Sequence, residues 1–204
     1  MNPVAGYSEA TATNFNAAER LPAGGYVLRI LDVREENYTW GDVIVLRFDI
    51  AEGEQTGFFK RQYDAMSDEY KKWKGTHRIN IPTLKSGSEE DMKRYNRSLG
   101  FFKAQIEAVN KSNNINIDCS KEWSPNAMKN KLVGAVFGNK EWEYDGKTGW
   151  YTACDHLVAA ADIREGNFSI PKDKPLKNNS AAQTSAGDMY SDFEESVGEQ
   201  TVPF

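Results

Sequence analysis

A chain of 204 residues can fill one hydrophobic core but not two domains of average size. With 39% hydrophobic and 27% charged residues, part of its length is expected to lie outside any core, and no run approaches the roughly 18 apolar residues of a membrane span. The net charge of −5 is uneven: all 25 Lys and Arg lie at or before Lys177 with 25 of the 30 acidic residues, so the last 27 residues carry the whole −5.

The first 20 residues repeat Ala, Thr and Asn without a period and read as a flexible N-terminal arm. They hold no basic segment followed by an apolar run, so no secretory signal is expected. Cys119 and Cys154 are therefore expected as reduced thiols in the cytoplasm. The punctuation Pro22-Ala-Gly-Gly25 precedes a first strand over Tyr26–Arg34, rich in β-formers. A second strand over Val43–Ile50 alternates, with Ile44, Leu46, Phe48 and Ile50 on one face and Val45, Arg47 and Asp49 on the other. A third and weaker strand over His77–Ile81 is stopped by Pro82.

Ser88-Glu-Glu-Asp91 reads as a helix N-terminus, a capping hydroxyl followed by acidic side chains at the positive end of the dipole. Met92, Tyr95, Leu99, Phe102, Ile106 and Val109 then form one apolar stripe at helical spacing. Two more strands are predicted, over Leu132–Phe137 and about Gly149–Cys154, with Asp145-Gly146 suited to a hairpin turn between them. From Pro171 the chain becomes polar and proline-marked, then acidic, with little to bury, so 171–204 is expected as a disordered acidic tail. The fold class is thus mainly β. Five strands with one helix between the third and fourth is the order of the OB-fold, a small Greek-key barrel, here assigned to 21–170. Periodicity alone leaves an α+β sandwich open.

Catalytic signals are weak. The chain contains no Gly-x-x-x-x-Gly-Lys-Ser/Thr loop, no Gly-x-Ser-x-Gly elbow and no His-Glu-x-x-His. Cys154 and His156 would share one face of a strand, but their spacing matches no zinc-ligand pattern, and no metal or other cofactor is expected. Acidic pairs such as Asp42 with Asp49 could hold magnesium in a nuclease, a common arrangement on any surface. The chain is expected not to be an enzyme.

Aromatic and basic residues are more telling. Between Phe58 and Lys111 there are 12 Lys or Arg against 7 Asp or Glu, with eight aromatic rings. The runs Phe58-Phe-Lys-Arg-Gln-Tyr63 and Tyr70-Lys-Lys-Trp-Lys74 interleave rings with cations. Cations that track phosphates beside rings that stack on bases suit a single strand of nucleic acid, since every base has a π-face. OB-folds bind through the face of strands 2 and 3 and the loops joining strands 1–2 and 4–5. The candidate binding set is therefore Arg47, Phe59, Lys60, Arg61, Tyr63, Lys71, Lys72, Trp73, Lys74 and Arg78, with Tyr38 and Trp40 from the first loop and Trp142, Tyr144 and Lys147 from the second. Tyr95, Phe101 and Phe102 are expected in the core.

The ending Thr201-Val-Pro-Phe204, behind an acidic tail and an OB-like body, resembles bacterial and phage single-stranded DNA-binding proteins, which end in acidic residues, an aliphatic residue, Pro and Phe. Thr201 stands where an Asp is usual. The body, through Leu21–Arg29, Leu46–Gly53, Leu132–Gly138 and Ile163–Phe168, is similar to proteins of phages and prophages of Gram-positive bacteria. The resemblance implies sequence-tolerant coating of single-stranded DNA in replication or recombination, in the host cytoplasm. It also implies recruitment of replication or recombination proteins (a polymerase, helicase, primase or recombinase) through Val202, Pro203 and Phe204. A 27-residue tail would reach roughly 30 Å, and could fold back on the basic groove. An adaptor whose main ligand is another protein, and a metal-dependent nuclease, are the alternatives.

Overall fold

The computed structural model describes residues 20–66 and 71–176. Five strands form one antiparallel sheet in the order β3-β2-β1-β4-β5. They are β1 (Gly24–Tyr38), β2 (Gly41–Ile50), β3 (Thr76–Asn80), β4 (Leu132–Tyr144) and β5 (Lys147–Val158). The expected strands are all present, each within a longer one except the third, which shifts by one residue. The closed barrel is not found: among the described residues β3 and β5 form the two edges of an open sheet.

β1 reaches both neighbours because it is long and bulged. Leu28 pairs with Ile50 on one side and Val133 on the other, and the register with β2 slips between Ile30 and Asp32. A bulge sharpens local twist and resets which side chains face inward. Both hairpins close tightly. Thr39 and Trp40 join β1 to β2, and Asp145 and Gly146, with φ of 50° and 70°, join β4 to β5 as a two-residue turn of the kind Asp-Gly favours.

One face of the sheet is the core. Leu28, Ile30, Ile44, Leu46, Phe48, Ile79, Val133, Ala135 and Phe137 are buried there against Phe102, Ile106 and Val109 of α2 (Glu89–Asn113). The Ser88 hydroxyl accepts from the Asp91 amide at 3.2 Å, as the capping sequence predicts. The first half of the apolar stripe departs from expectation. Met92 and Leu99 are 39% and 40% exposed, and Phe101 is exposed rather than in the core. The core anchors only the later turns.

Three elements were not legible in the sequence. α1 (Phe58–Asp64) follows β2, a 3-10 turn spans Pro125–Met128, and α3 (Ala160–Glu165) follows β5. α3 and the residues after it lie on the opposite sheet face. A Cβ on Gly25 would come within 2.6–2.7 Å of Phe168 and Ile163, and one on Gly134 within 2.7 Å of the Ala159 carbonyl oxygen, so both glycines permit that contact. The segment 171–176, expected to be loose, is tied to β4: Lys174 exchanges backbone hydrogen bonds with Asn139 and Glu141, each 2.9 Å, and its ammonium meets Asp155 at 2.9 Å. The remainder of the expected tail, and the N-terminal arm, lie outside the described residues.

Cys154 and His156 were expected on one strand face. The bulge between Val136 and Phe137 places Asp155 out of register, so Cys154 opposes Phe137 in the core while His156 is exposed. Burial pushes the Cys154 thiol up strongly, so it stays protonated at neutral pH.

Phe137 packs edge-on against both Tyr26 and Phe48, with ring centroids 5.5 and 6.0 Å away. Phe137→Ala should therefore lower unfolding stability by about 3–5 kcal/mol, read from the shift in urea midpoint. A loss under about 1 kcal/mol would show that this ring does not anchor the core.

Candidate functional site

The face of the sheet turned away from α2 carries the cations. Cross-strand pairing sets Asp32 opposite Arg47, Arg34 opposite Val45, Val45 opposite Arg78 and Arg47 opposite Thr76. Directly paired residues share a face, so Arg34, Arg47 and Arg78 lie together across β1, β2 and β3. Carboxylates on this face are already engaged. Asp32 meets Lys129 at 2.9 Å, a hydrogen bond that holds its carboxyl below the usual range, and Glu36 accepts from the Tyr38 hydroxyl. Arg47, Lys72 and Lys74 make no ion pair among the described residues.

Rings gather beside these cations in two groups. In the first, the Arg47 guanidinium lies 4.4 Å from the Trp73 ring centroid, Trp73 lies 5.6 Å from Tyr63, and the Lys71 ammonium is 5.2 Å from Tyr63. The Trp73 indole N–H donates to the carbonyls of Phe48 and Gly75 at 3.0 and 3.1 Å, which fixes the ring, half-buried, at the edge of β2. Arg47 Nε is shielded from solvent and has no hydrogen-bond partner among the described residues, so the ring stack leaves a desolvated donor. Burial, and secondarily the neighbouring Lys72, lower the pKa of Lys74. In the second group Tyr38 and Trp40 stack at 5.0 Å, with Arg78 5.9 Å from the Tyr38 ring and 3.7 Å from Glu36.

The β4–β5 hairpin presents a third group on the same sheet face. Trp142 and Tyr144 oppose Gly149 and Lys147, and Lys140 opposes Tyr151. Trp142 lies over Gly149, where a Cβ would come within 2.8 Å of the indole. These residues belong to strands rather than to the expected loop, because both strands continue to the Asp145-Gly146 turn. Tyr144 is 46% exposed. Trp150 and Tyr151, also exposed, were not among the expected residues. Period-two reading extended through Lys147–Val158 would have placed Tyr151 with Trp142 and Tyr144. α3 lies between this group and the other two.

Several expected residues go elsewhere. Phe59 is a correction: it is 6% exposed and packs with Phe58, Phe48 and Phe137. Phe58 and Phe59 both lie on α1, and both reach the core. Lys60 is exposed but meets Asp64 at 2.6 Å, and Arg61 donates to the Thr56 carbonyl. Lys72 is exposed beside Trp73, and Lys147 is exposed near the hairpin tip. Tyr70, Val202, Pro203 and Phe204 lie outside the described residues. Asp49, half of a candidate magnesium pair, instead caps α1: its carboxylate accepts from the amides of Ile50, Phe59 and Lys60 at 2.8, 2.9 and 3.1 Å. Among the described residues, no cluster of three or more His, Cys, Asp or Glu could hold a metal ion, and no helix is long and apolar enough to cross a membrane.

No protein-family model matches the chain, and no curated protein matches it either.

Because Asp49 holds the start of α1 from the adjacent strand, Asp49→Ala should cost about 1–2 kcal/mol in stability. Amide exchange at Phe59 and Lys60 should quicken more than in β4. Unchanged protection of these two amides would remove the capping role.

Proposed function

We propose that the chain binds single-stranded nucleic acid without regard to sequence, on the sheet face that carries Arg47, Trp73, Tyr63, Arg78, Tyr38 and Trp40. The observation that carries this reading is the first ring group: a fixed indole, a guanidinium stacked on it, and the Lys71 ammonium over the neighbouring Tyr63 ring. A duplex, whose bases are already stacked, gains nothing from such rings, whereas an unpaired strand supplies base faces and phosphates together.

The sheet is, in this proposal, an open version of the OB barrel. The central place of β1, the pairing of β2 with β3 and the helix between β3 and β4 support it. The proposed surface then matches the strand 2–3 face and the 1–2 and 4–5 connections through which that fold binds. The hairpin group with Trp142, Tyr144, Lys147 and Tyr151 forms a second part of the surface. The C-terminal Val202, Pro203 and Phe204 recruit replication or recombination proteins in the bacterial cytoplasm, and the protein has no catalytic role of its own.

Fluorescence anisotropy of labelled oligo-dT tests the reading. Trp73→Ala and Arg47→Ala should each weaken binding by about 1–3 kcal/mol, roughly 5- to 150-fold, while the thermal midpoint of Arg47→Ala stays within a few degrees of the parent. Affinity should fall with salt at a log–log slope of about −0.7 per phosphate contact, and Arg78→Ala should make that slope shallower by about 0.7. Absence of binding at low salt would overturn the proposal.

A further inference from the structure

The two hairpins of the sheet point in opposite directions. β1 runs antiparallel to both β2 and β4, so the Thr39-Trp40 turn leaves one end of the sheet and the Asp145-Gly146 turn the other. Pairing also fixes how far apart their ring groups lie. Lys140 stands three residues past Phe137, the partner of Gly24, while Asp32, opposite Arg47, stands eight residues from Gly24 the other way. About eleven residues of strand therefore part the Arg47 group from the β4–β5 group, roughly 36 Å at a rise of 3.3 Å per residue.

A ridge crosses the same sheet face between them. Ile163 of α3 lies on Gly25 and Gly134, Phe168 lies on Gly25, and Pro171 lies on Gly138, where a Cβ would meet its ring at 2.8 Å. Beyond the ridge the β4–β5 hairpin sorts its own charges. Lys140, Trp142 and Tyr144 alternate along β4 with Glu141 and Glu143, so the lysine and the rings share one face and the two carboxylates take the other. Tyr151, Gly149 and Lys147 stand opposite the first three on β5, and directly paired residues share a face. That face thus holds three rings and two lysines, with no carboxylate from either strand between Lys140 and Tyr151. Tyr144, Lys147 and Tyr151 are exposed, and Trp142 is seated on Gly149.

We propose that this hairpin face is a separate single-strand site, so that one protein holds two segments of nucleic acid at opposite ends of its sheet and bridges them. The inference rests on the proposed function, which it extends from coating a strand to joining two. A short strand cannot meet both groups, since five nucleotides cover about 17 Å at the 3.4 Å spacing of a stacked strand, half of the separation. Rings stack on any base, so neither site selects its strand and the two can be filled from different molecules. Repulsion between the two strands does not oppose this, because the Debye length of about 10 Å at 0.1 M salt is far shorter than the gap.

Titration of the full chain with the pentanucleotide dT5 at low salt, followed by calorimetry, tests it. The parent should take up two dT5 per chain. Trp73→Ala and Tyr144→Ala/Tyr151→Ala should each leave one, and the three changes together should leave none. Lys147→Glu, a single change at an exposed position, should weaken the hairpin event at least fivefold and leave the other unaltered. Donor- and acceptor-labelled dT5 mixed with the parent should show energy transfer that Trp73→Ala and the double tyrosine variant both abolish. Uptake of one dT5 per chain by the parent would overturn the proposal and leave the proposed function standing. So would two dT5 per chain in the double tyrosine variant. Failure of the parent to bind dT5 or any longer oligo-dT would overturn both.

Discussion

The alternation along β2 divides the molecule into a dry side and a charged side. Ile44, Leu46, Phe48 and Ile50 are buried to within 2% exposure, and Val45, Arg47 and Asp49 point the other way. Everything that follows inherits this division. α2 covers the inner side because its buried residues meet that row. On the outer side Arg47 supports Trp73, and Asp49 starts α1. A slip of one residue in this strand would exchange the two sides, exposing the core row and burying an arginine and an aspartate.

The charged side is held in place by bonds to backbone. Trp73 is fixed by two carbonyls, one from β2 and one from the approach to β3, so its orientation follows from the pairing of those strands. Gly75 contributes to that closeness, because a Cβ there would approach the Phe48 carbonyl oxygen to 2.4 Å. Fixed rings lose less freedom on stacking than mobile ones. The proposed binding thus draws on groups that the fold has already ordered, while the carboxylates of the same face are occupied by Lys129, by Tyr38 and by backbone amides.

The core face and the charged face also explain the position of α2. A helix of 25 residues is about 37 Å long, and its core contacts are confined to the later part. Its later turns are set by Phe102, Ile106 and Val109, and by Asn113, whose side chain exchanges hydrogen bonds with the backbone of Leu132. Its earlier turns rely on the Ser88 cap and on ion pairs along their own surface. Met92 and Leu99, on those earlier turns, stay exposed.

Local pattern was sufficient for much of this architecture. Runs of β-formers bounded by turn residues located the strands, with alternation in the second, Asp145-Gly146 located one turn, and Ser88-Glu-Glu-Asp91 located the helix start, because each depends on neighbours in the chain. The short helix α1 was illegible because its cap, Asp49, lies ten residues away on a strand and only the fold brings it to Phe59. Phe59 and Trp73 looked alike as rings among cations. Packing against Phe48 and Phe137 sends one inward, while hydrogen bonds from the indole hold the other at the sheet edge. Sequence determined the strands, the charge division and which residue types were at hand. Tertiary structure decided which rings share a face with which cations, since that depends on register between strands distant in the chain.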